Sequence, residues 1–218
     1  MITPAVKDPP EIEARLWSGF KKVQLAFDIG ANCGQSLPWI HEFADKIVAF
    51  EPAFEAVDWV RDNLPLVNDF TIMSSDAVSS HTGTIDLYAL PGKIDTGQLV
   101  SNVKGMEWHI PGLSFARPVT SITLDDAIQK YRNIGIPGFI KIDVEGHEWE
   151  ILRVAWDTLD MHRPEFLIEI HDRDLGSKIM GMLLDANYNM EVVRHPHYVV
   201  GSDLYWTHFW VKAIPDDY

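Results

Sequence analysis

Acidic residues end several of the apolar runs in this sequence. FDIGANCGQ, residues 27–35, places Asp28 near the end of one run and follows it with two glycines around an asparagine. Glu51 ends the next run, 23 residues later, Asp76 follows a third run, and Asp143 ends the run FIKID. In an open α/β sheet the carboxyl ends of the strands meet at one edge, where ligands bind. If these runs are strands, we expect all four carboxylates in one cleft.

The glycines after Asp28 indicate what such a cleft would bind. Gly30 and Gly34 let the backbone turn tightly and approach a ligand, because they have no Cβ. The spacing is D-x-G-x-N-x-G, with Asn32 at its centre, whereas dinucleotide-binding loops read G-x-G-x-x-G. A carboxylate at the start of the loop would repel a pyrophosphate, which disfavours the alternative of an NAD-dependent dehydrogenase. The loop is better suited to a cationic or zwitterionic ligand.

The next two acids predict a nucleoside as part of that ligand. Glu51 lies where an acidic side chain accepts hydrogen bonds from ribose hydroxyls. Asp76 is followed by the small residue Ala77, and this pair could border an adenine ring and bond its amino group. S-adenosylmethionine joins a nucleoside to a positively charged amino-acid tail, so it is the cofactor that the pattern predicts.

The composition excludes several other classes of protein. The 218 residues include 32 acidic and 18 basic side chains, a formal net charge of −14, which argues against binding to nucleic acid or to an anionic membrane surface. No run approaches the ~18 apolar residues of a membrane helix, and the N-terminus has charges and prolines where a signal peptide is apolar. Cys33 is the only cysteine, which favours a reducing compartment. We therefore expect a cytoplasmic protein.

Short β-rich runs alternate with segments of helical periodicity along the chain. The alternation predicts right-handed βαβ units, a parallel sheet covered on both faces, and one domain over residues 1–218 with an N-terminal extension at 1–22. The last two runs predict an antiparallel pair, which makes the sheet mixed. The predicted strands are 23–30, 46–52, 70–78, 82–90, 139–146, 165–172, 189–200 and 204–214, and the predicted helices are 36–44, 55–64, 121–133, 148–159 and 177–188.

The segment 91–118 fits neither pattern. A connection of this length in a compact domain is usually a functional lid or a mobile loop. Because the segment carries Trp108 and His109, we interpret it as a lid over the substrate.

Charged residues alternate through two of the predicted central strands. Lys141, Asp143 and Glu145 share one face of FIKIDVEGHE, and Glu169 and His171 share one face of EFLIEIHD. Charges on a buried strand are costly unless they are paired or lie at a crevice. We expect a Lys141–Glu169 pair across neighbouring strands, and a cluster of Asp143, Glu145 and His171 at the ligand edge.

Taken together, these blocks resemble the FkbM family of class I S-adenosylmethionine-dependent methyltransferases. The resemblance covers about residues 23–172 and rests on FDIGANCGQS, VAFEP, SSDAVSSHTGTIDLY, SITLDD, FIKIDVEGHEWEIL and RPEFLIEIH. It implies a Rossmann-like, doubly wound sheet of about seven strands, and methyl transfer to oxygen on a carbohydrate, a natural product or a related small molecule. The cofactor-binding residues that it implies are Asp28, Gly30, Asn32 and Gly34 for the methionine part, Glu51 for the ribose, Asp76 and Ala77 for the adenine side, and Asp143 for the amino group and sulfonium.

Methyl transfer to a hydroxyl group also requires that the hydroxyl lose its proton, so we expect a general base. His171 is the first candidate and His147 the second, because histidine can accept a proton near neutral pH. Lys141 could serve only if burial lowered its pKa. Asp143 and Glu169 complete the residues expected to take part in the chemistry.

Two further alternatives stay open from the residues alone. Oxygen ligands from Asp143, Glu169 and Asp172 could hold a hard cation that polarises the acceptor, but no metal site is predicted because the strands contain no self-sufficient metal motif. A protein of this fold could also bind a nucleoside without catalysis. The oligomeric state is left open.

Overall fold

Seven strands form one mixed sheet and four further strands form a second, smaller sheet. The computed structural model describes residues 10–64, 69–89, 102–103, 115–194 and 207–216. In chain order the strands are β1 (Val23–Ile29), β2 (Ala44–Phe50), β3 (Thr71–Ser74), β4 (Ala77–Val78), β5 (Gly83–Ala89), β6 (Asn102–Val103), β7 (Phe115–Ile122), β8 (Phe139–Ile142), β9 (Glu165–Ile170), β10 (Tyr188–Arg194) and β11 (Phe209–Pro215).

The main sheet has the strand order β10-β11-β9-β8-β1-β2-β3. Its centre is parallel, because β1 pairs in parallel with both β2 and β8, and β8 pairs in parallel with β9. The last strand, β11, is antiparallel to β9 and to β10. The predicted doubly wound mixed sheet of about seven strands is confirmed, and so is the antiparallel last strand.

Helices cover both faces of the main sheet, as its apolar central strands require. Neighbouring residues of a strand point to opposite faces. The helices are α1 (Pro10–Trp17), α2 (Leu37–His41), α3 (Phe54–Asn63), α4 (Leu124–Lys130), α5 (Glu148–Leu152) and α6 (Arg173–Asp185), with a π-helix at Thr158–His162. Phe27 of β1 belongs to a core that includes buried residues of α4, α5 and α6, whereas Ala26 belongs to a second core with α1, α2 and α3.

The smaller sheet was only partly predicted from the sequence. Its order is β4-β7-β5-β6, and β5 and β7 form a long antiparallel pair from Gly83 and Ser121 to Ala89 and Phe115. The predicted single strand 70–78 is wrong: β3 belongs to the main sheet and β4 to the smaller one. The chain changes sheets between them, so β4 brings the smaller sheet beside the end of β3.

Several predicted element boundaries also need correction. The helix expected at 148–159 ends as α5 at Leu152 and is followed by the separate π-helix. The helix expected at 177–188 begins earlier, at Arg173, because the Asp172 carboxylate caps it by accepting a hydrogen bond from the Leu175 amide at 2.9 Å. Each difference is at an element end.

The predicted lid at 91–118 lies largely outside the described residues. Residues 102–103 belong to β6 and residues 115–118 to β7, so these parts are strand. Trp108 and His109 are not among the described residues, and the lid over 91–118 stays a prediction.

None of the helices in the described part of the chain is both long enough and apolar enough to cross a lipid bilayer.

Two glycines of α6 provide a matched test of how this helix packs on the sheet. A Cβ at Gly176 would lie 2.7 Å from Ile170 Cγ2 and 3.0 Å from Phe209 Cζ, whereas a Cβ at Gly181 would meet nothing within 4 Å. We expect Gly176→Ala to lower the free energy of unfolding by about 1–3 kcal/mol through overpacking. Gly181→Ala should raise it by about 0.5–1 kcal/mol, because alanine loses less backbone entropy in a helix. Urea unfolding followed by circular dichroism measures both, and equal stabilisation by the two variants would contradict the described packing.

Candidate functional site

A cavity opens at the carboxyl ends of β1, β2 and β8, where the strand order of the main sheet reverses. Ligands of open α/β proteins bind at such a switch point. The predicted cofactor residues that line the cavity are Gly30, Asn32, Glu51, Ala77 and Asp143, and the predicted catalytic residues that line it are Lys141, Glu169 and His147. Four predicted residues are not part of the lining: Asp28, Gly34, Asp76 and His171.

Gly30 allows the loop after β1 to touch the loop after β8. Its φ is +76°, and a Cβ on this residue would lie 1.8 Å from the carbonyl oxygen of Asp143. The amide groups of Gly30 and Ala31 both donate to the carbonyl of Phe50 at the end of β2, at 3.0 and 3.1 Å. The close contact between the ends of three strands therefore requires a glycine at this position, whether or not a ligand also approaches the loop.

Glu51 holds this loop from the end of β2. One carboxylate oxygen accepts a hydrogen bond from the amide of Asn32 at 3.0 Å, and the other accepts from the amide of Ala53 at 2.8 Å. The side chain is buried, and this burial raises its pKa to about 7, although the two backbone hydrogen bonds act in the opposite direction. Each oxygen can accept a further hydrogen bond, so the carboxylate can bind a ligand and still keep its hydrogen bonds to the loop.

Asp28 does not present its carboxylate to the cavity, which corrects the expectation from its strand-end position. It is fully buried and lies directly opposite Lys141 on the neighbouring strand. The Lys141 Nζ donates to Asp28 Oδ1 at 3.1 Å and to the carbonyl of Gly30 at 3.3 Å, and it lies 3.3 Å from Asp143 Oδ2. Asp28 therefore acts through Lys141, which lines the cavity in its place.

The expected Lys141–Glu169 pair is wrong. The register of β8 and β9 places Leu167 opposite Lys141, so the ion pairs of Lys141 go to β1 and to the loop after β8 instead. Burial alone would lower the pKa of Lys141, but the charges of Asp28 and Asp143 outweigh it and raise that pKa. The lowered pKa that a lysine base would need is absent, so Lys141 is a positioning residue.

His171 and several carboxylates come together beside the cavity, as the sequence predicts. The His171 Nε2 atom lies 3.9 Å from Asp143 Oδ1, 3.5 Å from Glu145 Oε2 and 3.7 Å from Glu169 Oε1. Its other ring nitrogen, Nδ1, lies 2.8 Å from Glu148 Oε1. Burial alone would lower the pKa of His171, but the hydrogen bond to Glu148 and the surrounding carboxylates raise it to about 10.

The other acids of this cluster respond to burial and to their neighbours. Burial raises the pKa of Glu145 to about 7, although the charge of His171 acts in the opposite direction. Burial also acts to raise the pKa of Asp143, but the charges of Lys141 and His171 outweigh it and lower that pKa. Asp172, which the sequence offered as a cation ligand, caps α6 instead.

The surroundings of His147 differ from those of His171. Among the described residues, its ring has a hydroxyl partner and no bonded carboxylate. The His147 Nε2 atom lies 2.9 Å from the Ser79 hydroxyl, and Nδ1 is buried with no hydrogen-bond partner among the described residues. Burial lowers the pKa of this histidine. A neutral imidazole with a vacant ring nitrogen can accept a proton.

Asp76 is directed away from the cavity, which corrects its predicted contact with adenine. Its carboxylate binds the Lys130 ammonium at 2.5 Å, the Thr120 hydroxyl at 2.8 Å and the Ser74 hydroxyl at 3.0 Å. These contacts join β3, β7 and α4, so the carboxylate is structural. The adjacent Ala77 does line the cavity.

Glu148 and Ser79 are site residues that the sequence analysis did not identify. A signal for Glu148 was present, because Glu148, Ile151 and Leu152 have the i, i+3, i+4 spacing of a buried helix face, and all three are buried. An acid on a buried helix face needs a buried partner, and the partner of Glu148 is His171. Ser79 follows the two-residue strand β4, and no sequence pattern distinguishes it from other serines.

The fold and the site together define the class of this protein. Its strand order, its antiparallel last strand and the glycine loop at the switch point are those of a class I methyltransferase. The sequence matches the family described as Methyltransferase FkbM domain over residues 28–190, and the chain belongs to that family. No curated protein sequence matches the chain significantly.

Solved structures agree on the fold. A methyltransferase FkbM from Methylobacillus flagellatus is 17% identical with a TM-score of 0.59, over 89% of this chain and 44% of that one. A precorrin-6y C5,15-methyltransferase from Geobacter metallireducens is 13% identical with a TM-score of 0.56, over 99% and 94% of the two chains. A Streptococcus mutans methyltransferase solved with SAH is 12% identical with a TM-score of 0.52, over 96% and 99%. This chain thus spans less than half of the Methylobacillus protein.

The buried pair of Asp28 and Lys141 yields a stability prediction. Lys141→Met should lower the free energy of unfolding by about 3–5 kcal/mol, because it leaves a buried carboxylate without its partner. The double variant Asp28→Leu with Lys141→Met should recover most of that loss, since it buries no charge at this position. Chemical denaturation of the two single variants and the double variant measures the coupling. Additive effects would show that the two side chains do not interact as described.

Proposed function

We propose that the protein is an S-adenosylmethionine-dependent O-methyltransferase that acts on a hydroxyl group of a carbohydrate or natural-product small molecule. The observation that carries the proposal is the Glu51 carboxylate, which borders the cavity and is held in place by two backbone amides. Membership of the FkbM family supports methyl transfer. The solved neighbour that contains SAH supports the choice of cofactor.

The lining of the cavity supports this choice of cofactor, because it offers a partner for each part of the molecule. Phe50, Val78 and Leu87 offer an apolar wall for the adenine ring. Glu51 can accept hydrogen bonds from both ribose hydroxyls, as acids at the end of a second strand do. Asp143, at the end of β8, supplies negative charge for the cationic amino-acid end.

The bound cofactor supplies a methyl group on a positively charged sulfur. The chain has to hold the acceptor oxygen in line with that methyl group, and orientation of this kind contributes several kcal/mol to catalysis. As the new carbon–oxygen bond forms and the carbon–sulfur bond breaks, the acceptor loses its hydroxyl proton. We assign His147 to receive it, because this side chain lines the cavity and its Nδ1 is buried without a partner among the described residues.

This assignment changes the order of the two candidate histidines. His171 does not line the cavity, and its Nδ1 is engaged by Glu148. Its Nε2 faces three carboxylates rather than the open cavity. Within the described site, His147 therefore has the more suitable position for contact with an acceptor.

Binding of the cofactor product tests the cofactor assignment. Calorimetry should show binding of S-adenosylhomocysteine and S-adenosylmethionine and none of NAD. Glu51→Ala should weaken S-adenosylhomocysteine about 10–100-fold, because charged hydrogen bonds to the ribose are lost. Glu55→Ala is the matched control, since Glu55 lies near Glu51 in the chain but pairs with Arg117 and does not line the cavity. Binding of NAD alone, or equal loss in both variants, would reject the proposal for this site.

Kinetics on a panel of glycans and hydroxylated natural products tests the proton acceptor. His147→Asn should reduce kcat about 10²–10⁴-fold, the usual contribution of a general base, and should leave S-adenosylhomocysteine affinity unchanged. His81→Asn, at an exposed histidine two residues after Ser79, should retain full turnover. An unchanged kcat in His147→Asn would show that another group takes the proton.

A further inference from the structure

Several carboxylates lie close together beside the cavity. Asp143 and Glu145 follow β8, and Glu148 begins α5. The Lys141 ammonium lies 3.3 Å from Asp143 and is shared with Asp28, and the His171 imidazole lies 3.5 Å from Glu145 and 2.8 Å from Glu148. Like charges close together in a partly buried site repel strongly, so a further cation would stabilise this arrangement.

The side chains lie close enough together for one ion to reach several of them. From His171 Nε2 the nearest oxygens of Glu145, Glu169 and Asp143 lie at 3.5, 3.7 and 3.9 Å. One donor atom each from Asp143, Glu145 and His171 lie within 4.8 Å of one another. Ligands about 2.1 Å from a shared ion are about 3.0 Å apart at right angles and about 3.4 Å apart in a tetrahedron, so small side-chain movements complete the sphere.

His171 is oriented for this task by a buried partner. Glu148 is fully buried, and its Oε1 lies 2.8 Å from His171 Nδ1 and accepts the amide of Gly146 at 2.9 Å. In the neutral ring, a carboxylate that accepts Nδ1–H leaves the lone pair on Nε2, which is the usual support of a metal-binding histidine. The imidazole is only 6% exposed, and Nε2 faces the carboxylates of the cluster with no hydrogen bond to any of the described residues.

Lys141 orients the second ligand in a comparable way. Its ammonium lies 3.3 Å from Asp143 Oδ2, while Asp143 Oδ1 is the oxygen that faces His171. The two oxygens of this carboxylate thus have separate partners. One is held by the buried lysine, and the other lies on the side of the imidazole.

We propose that Asp143, Glu145 and His171 form a divalent-cation site at the edge of the cavity. One imidazole nitrogen with two carboxylates favours a first-row transition ion such as Mn²⁺, since imidazole suits those metals and carboxylates suit Mn²⁺ and Mg²⁺. Three protein ligands leave three positions of an octahedral ion for solvent or for oxygens of an acceptor. The site itself does not depend on the proposed function, whereas polarisation of an acceptor hydroxyl by the ion rests on it.

Titration of the full chain with Mn²⁺ after treatment with a chelator tests the site. Electron paramagnetic resonance of the free ion should show one Mn²⁺ bound per chain. Pulsed measurements of the bound ion should show coupling to one imidazole nitrogen, and His171→Asn should abolish that coupling. Glu145→Gln should weaken Mn²⁺ binding at least about tenfold, a loss typical of altered metal sites. The Glu145 side chain is 41% exposed, so this change is compatible with folding.

Glu150→Gln is the matched control, because Glu150 lies in the same short segment but pairs with Arg153. It should bind Mn²⁺ as the wild type does. No depletion of free Mn²⁺, no nitrogen coupling, or equal loss in Glu145→Gln and Glu150→Gln would each overturn the site. Calorimetry with S-adenosylhomocysteine on the same samples separates the proposals: binding of this molecule without Mn²⁺ removes only the cation site, and binding of Mn²⁺ alone removes only the proposed cofactor.

Discussion

The arrangement of the cleft depends on one buried ion pair between neighbouring strands. Asp28 of β1 and Lys141 of β8 lie directly opposite each other in the register of the sheet, and both are almost completely shielded from solvent. Removal of either partner alone would leave an uncompensated charge in the interior, which is far more costly than the net contribution of the pair. The pair is thus a constraint on how β1 and β8 align, and every residue after these strands takes its position from that alignment.

The ammonium of Lys141 extends this constraint beyond the pair. It also contacts the carbonyl of Gly30 and the carboxylate of Asp143, the first residues of the loops that follow the two strands. The same loops touch directly, because the missing Cβ of Gly30 admits the Asp143 carbonyl, and the Asp143 amide donates to the carbonyl of Ile29 at 3.0 Å. Backbone and side-chain contacts therefore bring together the glycine loop after β1 and the acidic loop after β8.

The sequence was sufficient for the class of sheet and for the faces of the central strands, because apolar alternation and strand-end acids are local signals. It was not sufficient to identify the partner of Lys141. The alternation along β8 correctly placed Lys141 and Asp143 on one face. However, β8 has a neighbouring strand on each side, and no local pattern tells whether β1 or β9 supplies the acid that pairs with Lys141. Asp76 shows the same limit, since its partner Lys130 is 54 residues away and belongs to α4. Two-residue strands such as β4 have no periodicity to detect, and this is why the smaller sheet was only partly predicted.

The smaller sheet has a direct part in the cavity, although it lies outside the seven-stranded fold. Its strand β4 supplies Ala77 and Val78 to the lining. The next residue, Ser79, donates its amide to the carbonyl of Ile122 at 2.9 Å and places its hydroxyl 2.9 Å from the His147 ring. The pairing of β4 with β7 therefore sets both the apolar wall and the orientation of His147. Because His147 follows β8, whose position depends on Asp28, the two sheets meet at this imidazole, and a shift of either sheet would change the geometry at the same point of the cleft.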